Sequence, residues 1–140
     1  MASGDMKAAR DAFEKELSGN PNDFESNVRL GVLLKQEGNY ERAQALLNRA
    51  LLVRPQDPGA LYQVGATYLA AGDTNHARSS LESVVRQYPE FLEAHVSLAQ
   101  VYYRLKRKEE GDREREIVQK LKARQDAEQS KVKGDAQPRP

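Results

Sequence analysis

The chain holds two imidazoles, His76 and His95, as its candidates for general base or metal ligand. His76 follows Asn75 at the start of an expected helix, and His95 interrupts an apolar stretch. Two histidines are too few for an imidazole cage, and neither belongs to an H-E-x-x-H motif. With 0 cysteines, disulfides, thiolate metal sites and a cysteine nucleophile are excluded. Ser79-Ser80 has no histidine and acid assigned to it, and Ser80 reads as a small packing residue. Neither a P-loop nor G-x-G-x-x-G occurs to cradle a phosphate. Nothing supplies a nucleophile, a base or a cofactor pocket, so no enzyme, cofactor or metal site is expected. Both histidines are expected to serve packing or surface roles.

One run is strongly basic: Arg104, Lys106, Arg107 and Lys108 around Leu105. Glu109, Glu110 and Asp112 follow at once, and no aromatic stacking motif accompanies them, so a solvated turn is expected rather than a phosphate contact. Across the whole chain 22 Lys+Arg face 21 Asp+Glu, a net charge of +1. That balance offers no field to capture nucleic acid or an anionic membrane. The apolar fraction of 39% is low and the charged fraction of 31% is high, which favours a helical solenoid with much solvated surface. Charged residues from Asp5 to Glu16 interrupt any signal-like core. The run Ala50-Leu51-Leu52-Val53 stops at Arg54, far short of the roughly 20 apolar residues a bilayer span needs. Neither a nucleic acid nor a membrane is therefore expected as a partner. The compartment stays open: the cytoplasm is favoured, and a periplasmic setting would require that a signal had been removed.

What could position these residues is a repeat. At a shift of 34 the sequence aligns with itself without gaps. Pro21, Pro55 and Pro89 fall in phase, as do Ala9, Ala43, Ala77 and Gly111. Leu30-Gly31, Val64-Gly65 and Leu98-Ala99 form another series. Further series are Leu34, Tyr68 and Tyr102, and Gly4, Gly38 and Gly72.

Each unit reads as a helix pair. In the second, Asp57 is a cap and Pro58 occupies the first helical position. Leu61, Val64, Tyr68 and Leu69 recur at helical spacing, Gly72 ends the helix and Asp73 caps the next. Pro89 then stops the pair. This predicts helices over 24–37 and 40–53, 58–71 and 74–87, and 92–105 and 108–127. Residues 1–23 read as the second helix of a preceding half-unit, with the helix itself over 5–18. The units are then 24–57, 58–91 and 92–129, the last with an extended capping helix. Its outer face is polar, with Arg115 where Leu47 and Leu81 stand and Gln119 where Val85 stands; Ile117, Val118 and Leu121 are left to hold it. The array is expected to end here. At the other end Met6, Phe13 and Leu17 lack a partner helix, which predicts exposed apolar surface. Residues 130–140 lack apolar periodicity and are expected to form a disordered tail.

Two helices in a period of 34 resemble the tetratricopeptide repeat family, whose signature runs W-x2-L-G-x2-Y, A-x3-F, then A and P. The first unit supplies Leu30, Gly31, Ala43, Ala50 and Pro55. The second supplies Gly65, Tyr68, Ala77 and Pro89. The third matches at Leu98 and Tyr102 but departs at His95, Ala99, Gly111, Arg115 and Ala123. The resemblance implies an all-α, right-handed solenoid of antiparallel helix pairs, about seven helices in number. It also implies a protein–protein interaction scaffold that binds a peptide or helix in a concave, partly apolar groove. The alternative is an accessory module of a larger enzyme or nucleic-acid-associated complex. Carried over position by position, the groove would hold Glu25, Val28, Val32 and Lys35, then Gly59, Tyr62, Ala66 and Leu69, then Glu93, Val96, Gln100 and Tyr103. Tyr62 and Tyr103 would be its anchors. The family's carboxylate clamp needs Lys, Asn and Arg on the first helices; here only Arg29, Lys35 and Arg104 are basic, so that subtype is not expected. Self-association has two expected routes, the N-terminal half-unit and the groove.

Overall fold

The computed structural model describes residues 3–136. It consists of α1 (Ser3–Gly19), α2 (Phe24–Gln36), α3 (Tyr40–Val53), α4 (Pro58–Ala70), α5 (Thr74–Gln87), α6 (Leu92–Arg104) and α7 (Lys108–Ala136). No strand occurs among the described residues. The fold is an all-α solenoid of helix pairs.

Helix starts follow local chemistry. The carboxylates of Asp23 and Asp57 accept from the backbone N–H of Ser26 and Ala60, each at 2.9 Å. Asn39 and Asp73 cap α3 and α5 in the same way. One period after Asp57 stands Phe91, and α6 begins without a side-chain cap. The Phe91 ring instead lies against Tyr62, with centroids 5.3 Å apart. Helix ends are just as regular. Gly38 and Gly72 take left-handed conformations at φ +84° and +85°, and the third unit places Lys106 there at φ +62°. In each unit the residue after that turn donates its N–H to a carbonyl in the preceding helix: Asn39 to Leu34, Asp73 to Tyr68 and Arg107 to Tyr102, at 2.8–2.9 Å. This is the Schellman-type closure that lets one helix reverse into the next.

Close packing inside a pair rests on small residues. A Cβ on Gly31 would lie 2.9 Å from Leu47 Cγ, and one on Gly65 would lie 2.8 Å from Leu81. In the third unit Ala99 faces Arg115 in register, and the close approach moves to Gly111, whose missing Cβ admits the Tyr103 ring. Leu30, Leu34, Ala43 and Leu46 form one core, covered by Phe13 and Leu17 of α1. Phe13 and Leu17, expected to lie bare at this end, thus pack on the first unit. A larger core joins the second and third units: Leu69, Ala77, Leu81 and Val84 pack with Ala94, Leu98, Val101 and Tyr102. Burial pushes the Tyr102 hydroxyl up to about 12, reinforced by Glu82, Glu110 and Glu114.

The chain departs from expectation in α7. Apolar periodicity ends the helix near 127 and leaves a tail from Ser130, yet the helix runs on to Ala136. From Lys122 to Gly134 every residue is exposed. Missing periodicity signals that nothing is buried there, whereas the helix is carried by good formers such as Lys, Arg, Gln, Glu and Ala. Residues 137–140 of the expected tail lie outside the described residues.

Two outcomes follow. Ala77 is fully buried beside Leu81 and Val84, so Ala77→Leu should overpack the shared core and lower stability by about 1–3 kcal/mol in urea unfolding. Lys106→Gly should do the opposite. It removes left-handed strain of about 1–2 kcal/mol at the cost of about 0.5–1 kcal/mol in backbone entropy, so the unfolding midpoint should rise.

Candidate functional site

The stacking of the pairs creates an inner face. Besides consecutive helices, α2 packs on α4 and α4 on α6, while the backbones of α1, α3, α5 and α7 do not pack directly on one another among the described residues. Closer approach along the first helices bends the stack toward them, so their shared side is concave. Polar bonds tie its seams. Lys35 Nζ donates to Gln63 Oε1 at 2.9 Å, and burial pushes the Lys35 ammonium below its ordinary value. The Tyr62 hydroxyl meets Ser97 Oγ at 3.4 Å.

Between these ties Val28, Val32 and Ala66 are half-buried, Gln100 is exposed and Val96 is 38% exposed. Other expected groove residues are turned to the fold's own use. Leu69 is 7% exposed and belongs to the shared core, and its carbonyl accepts from Arg104 Nη1 at 3.3 Å. Tyr62 packs on Phe91. Tyr103 lies on Gly111, and its hydroxyl donates to Asp112 Oδ1 at 2.6 Å. That bond raises the Tyr103 pKa and holds the Asp112 carboxyl below its usual range.

Val96, Gln100 and Tyr103 come together at the end of the inner face. With Ala99 of α6 and Arg115, Val118, Gln119 and Lys122 of α7 they line an open cavity of about 380 Å³. The four α7 residues were not among the expected site residues. Their signal was the repeat itself, since one period earlier lie Leu81, Val84, Val85 and Tyr88.

Both histidines bond to neighbouring groups, His95 buried and His76 exposed. His95 is 4% exposed; its Nδ1 lies 2.6 Å from Glu114 Oε2 and its Nε2 lies 2.7 Å from the Pro89 carbonyl. Both partners are acceptors, so the imidazolium satisfies both by donating from each nitrogen. The Glu114 hydrogen bond is the main cause of a raised His95 pKa, opposed by burial. Asn27 takes the same place two periods earlier, where its Nδ2 donates to the Pro21 carbonyl at 3.0 Å. His76 Nδ1 lies 2.7 Å from Asp73 Oδ2 at the α5 cap, with its ring stacked on Tyr68. In the basic run, Arg107 makes two bonds to Glu110 at 2.6 and 2.8 Å and lies over the Tyr102 ring, while Lys108 pairs with Asp112. Among the described residues no helix is long and apolar enough to cross a membrane.

Because the folded state raises the His95 pKa, its ionic contribution to stability is complete below the ordinary value of 6.5 and is lost as pH climbs through the raised value. Urea unfolding between about pH 5 and 9 should therefore show the chain losing stability at the alkaline end. In His95→Gln that alkaline loss should be absent.

A family model described as tetratricopeptide repeat matches residues 1–64 and 68–131. Intraflagellar transport protein 70B of Rattus norvegicus is 32% identical over 98 residues, covering 62% of this chain and 15% of that protein. The TPR repeat-containing thioredoxin TTL4 of Arabidopsis thaliana is 32% identical over 83 residues, covering 59% of this chain and 12% of that protein. The chain thus spans less than a sixth of the length of these curated relatives. Among solved structures, MamA of Desulfovibrio magneticus RS-1 superposes with a TM-score of 0.79 at 25% identity, covering 88% of this chain and 70% of that one.

Proposed function

The chain belongs to the tetratricopeptide repeat family, and on that premise we propose that it is a protein-interaction scaffold whose inner face takes a peptide or a helix. The mechanism is binding to a preformed surface, with no bond made or broken. A rigid, prebuilt groove spares the ordering entropy that a flexible site would lose on binding.

One observation carries this reading: the seams of the inner face are tied by Lys35–Gln63 and Tyr62–Ser97, while the apolar positions between them stay accessible. Val28, Val32, Ala66 and Val96 then form the floor, and Gln100 supplies a polar contact. Lys35, partly stripped of water, is suited to meet a ligand's carboxylate or carbonyl at the edge. Tyr62 contributes an aromatic wall. Tyr103, bonded to Asp112, and Leu69, in the shared core, brace that floor. An apolar centre inside a polar rim is the composition that protein interfaces use.

The test is a Val32→Glu, Ala66→Glu double variant. It should keep the helical circular dichroism of the parent and lose at least tenfold in affinity for partners recovered with the parent, a change of about 1.4 kcal/mol. Unchanged affinity in the folded double variant would place the binding surface elsewhere.

A further inference from the structure

The cavity between α6 and α7 is more than the end of the inner face. Each residue lining it has a counterpart one period earlier, on α4, on α5 or, for Lys122, at Tyr88 just past α5. Val96 corresponds to Tyr62, Ala99 to Gly65 and Tyr103 to Leu69. Arg115 corresponds to Leu81, Val118 to Val84 and Gln119 to Val85. That earlier surface is the one that receives α6: Leu69, Leu81 and Val84 share one buried cluster with Ala94, Leu98 and Val101. The α6–α7 face is therefore built as a seat for a first helix, and none of the described residues occupies it.

Its chemistry has changed in one direction. Val96, Ala99 and Val118 keep the floor apolar, while Leu81 has become Arg115 and Tyr88 has become Lys122. No carboxylate lines the cavity, and neither Arg115 nor Lys122 forms an ion pair among the described residues. The seat also continues along the free part of α7. Val118, Lys122, Gln125, Gln129 and Val132 recur at spacings of three and four, which sets them on one side of the helix. Around Gln125, Gln129 and Val132, with Glu128 and Lys133 also lining it, lies a second open cavity of about 420 Å³, and Val132 is 68% exposed.

We propose that the α6–α7 face docks an amphipathic helix of another protein, apolar along one stripe and acidic on its flanks, in the position a further unit's first helix would take. The basic rim selects the acid, and the apolar floor supplies the contact area. A second copy is a poor occupant. Through the same seat it would bring Arg115 and Lys122 against their own kind. Its α1 lies in second-helix register and has already committed Phe13 and Leu17 to its own core. The inference goes beyond the groove reading, because the residues that decide it lie on α7.

The probe is a synthetic helical peptide with Leu and Val at three- and four-residue spacing and Glu on both flanks, beside a twin in which every Glu is Lys. Titration calorimetry on the full chain should show the acidic peptide binding about tenfold or more tighter than its twin. Val118→Glu should lower that affinity at least tenfold, and Arg115→Glu with Lys122→Glu should reverse the preference, each with helicity intact. The inner-face variant Val32→Glu should leave it unchanged, so that failure of the seat and failure of the groove are told apart. Equal binding of the two peptides, a preference that survives the charge reversal, or loss of binding only in Val32→Glu would overturn the proposal. So would a concentration-dependent dimer that Val118→Glu dissolves, since that would seat a second copy there.

Discussion

Within a helix pair the axes approach closely because one helix offers a glycine where its partner offers a leucine: Gly31 beneath Leu47, and Gly65 beneath Leu81. Neither side chain has room to spare, since both leucines are fully buried. This contact sets how flat each pair is. A single pair cannot bury its own apolar side, so each core is shared with a neighbour. That is why Leu69 of α4 and Leu98 of α6 belong to one cluster. The cost of enlarging a small residue here is consequently felt by two units together.

The third unit keeps this geometry while changing nearly every residue that enforces it. Phe91 stands where the earlier units have a capping aspartate, Lys106 where they have a left-handed glycine, and Ala99 with Arg115 where they pair glycine with leucine. Each departure is compensated locally. The Phe91 ring covers Tyr62, the Lys106 turn keeps its closing hydrogen bonds, and Gly111 takes in the Tyr103 ring. His95 joins α6 to α7 through Glu114, a charged hydrogen bond in place of an apolar anchor. The result is a unit that packs inward like its neighbours but presents a cationic, half-apolar surface outward.

The same economy governs the inner face. A hydroxyl, an amide or an ammonium on a first helix is taken up wherever a neighbouring helix can reach it, as with Tyr62, Tyr103 and Lys35. What stays free is the set of short apolar side chains between those ties. Val28, Val32 and Ala66 are half-buried there, and Val96 is 38% exposed. Valine and alanine thus lie between polar groups already held in place.

The sequence by itself determined the helices and their pairing. Caps at Asp23, Asn39, Asp57 and Asp73, reversals at Gly38 and Gly72, and the stops near Pro55 and Pro89 act through bonds within a few residues, so their consequences are visible in the chain. The small residues of the pairs were equally legible, because a fixed period repeats them. The tertiary structure decided which first-helix positions remain accessible. Leu69 and Tyr103 share the register of Lys35, yet one is core and the other is braced on α7. The match of His95 with Glu114 was likewise hidden, since the two lie 19 positions apart on different helices. The extent of α7 shows the converse. Apolar periodicity reports burial, whereas helix formation in an exposed segment depends on backbone propensity, and only the folded chain displays the two apart.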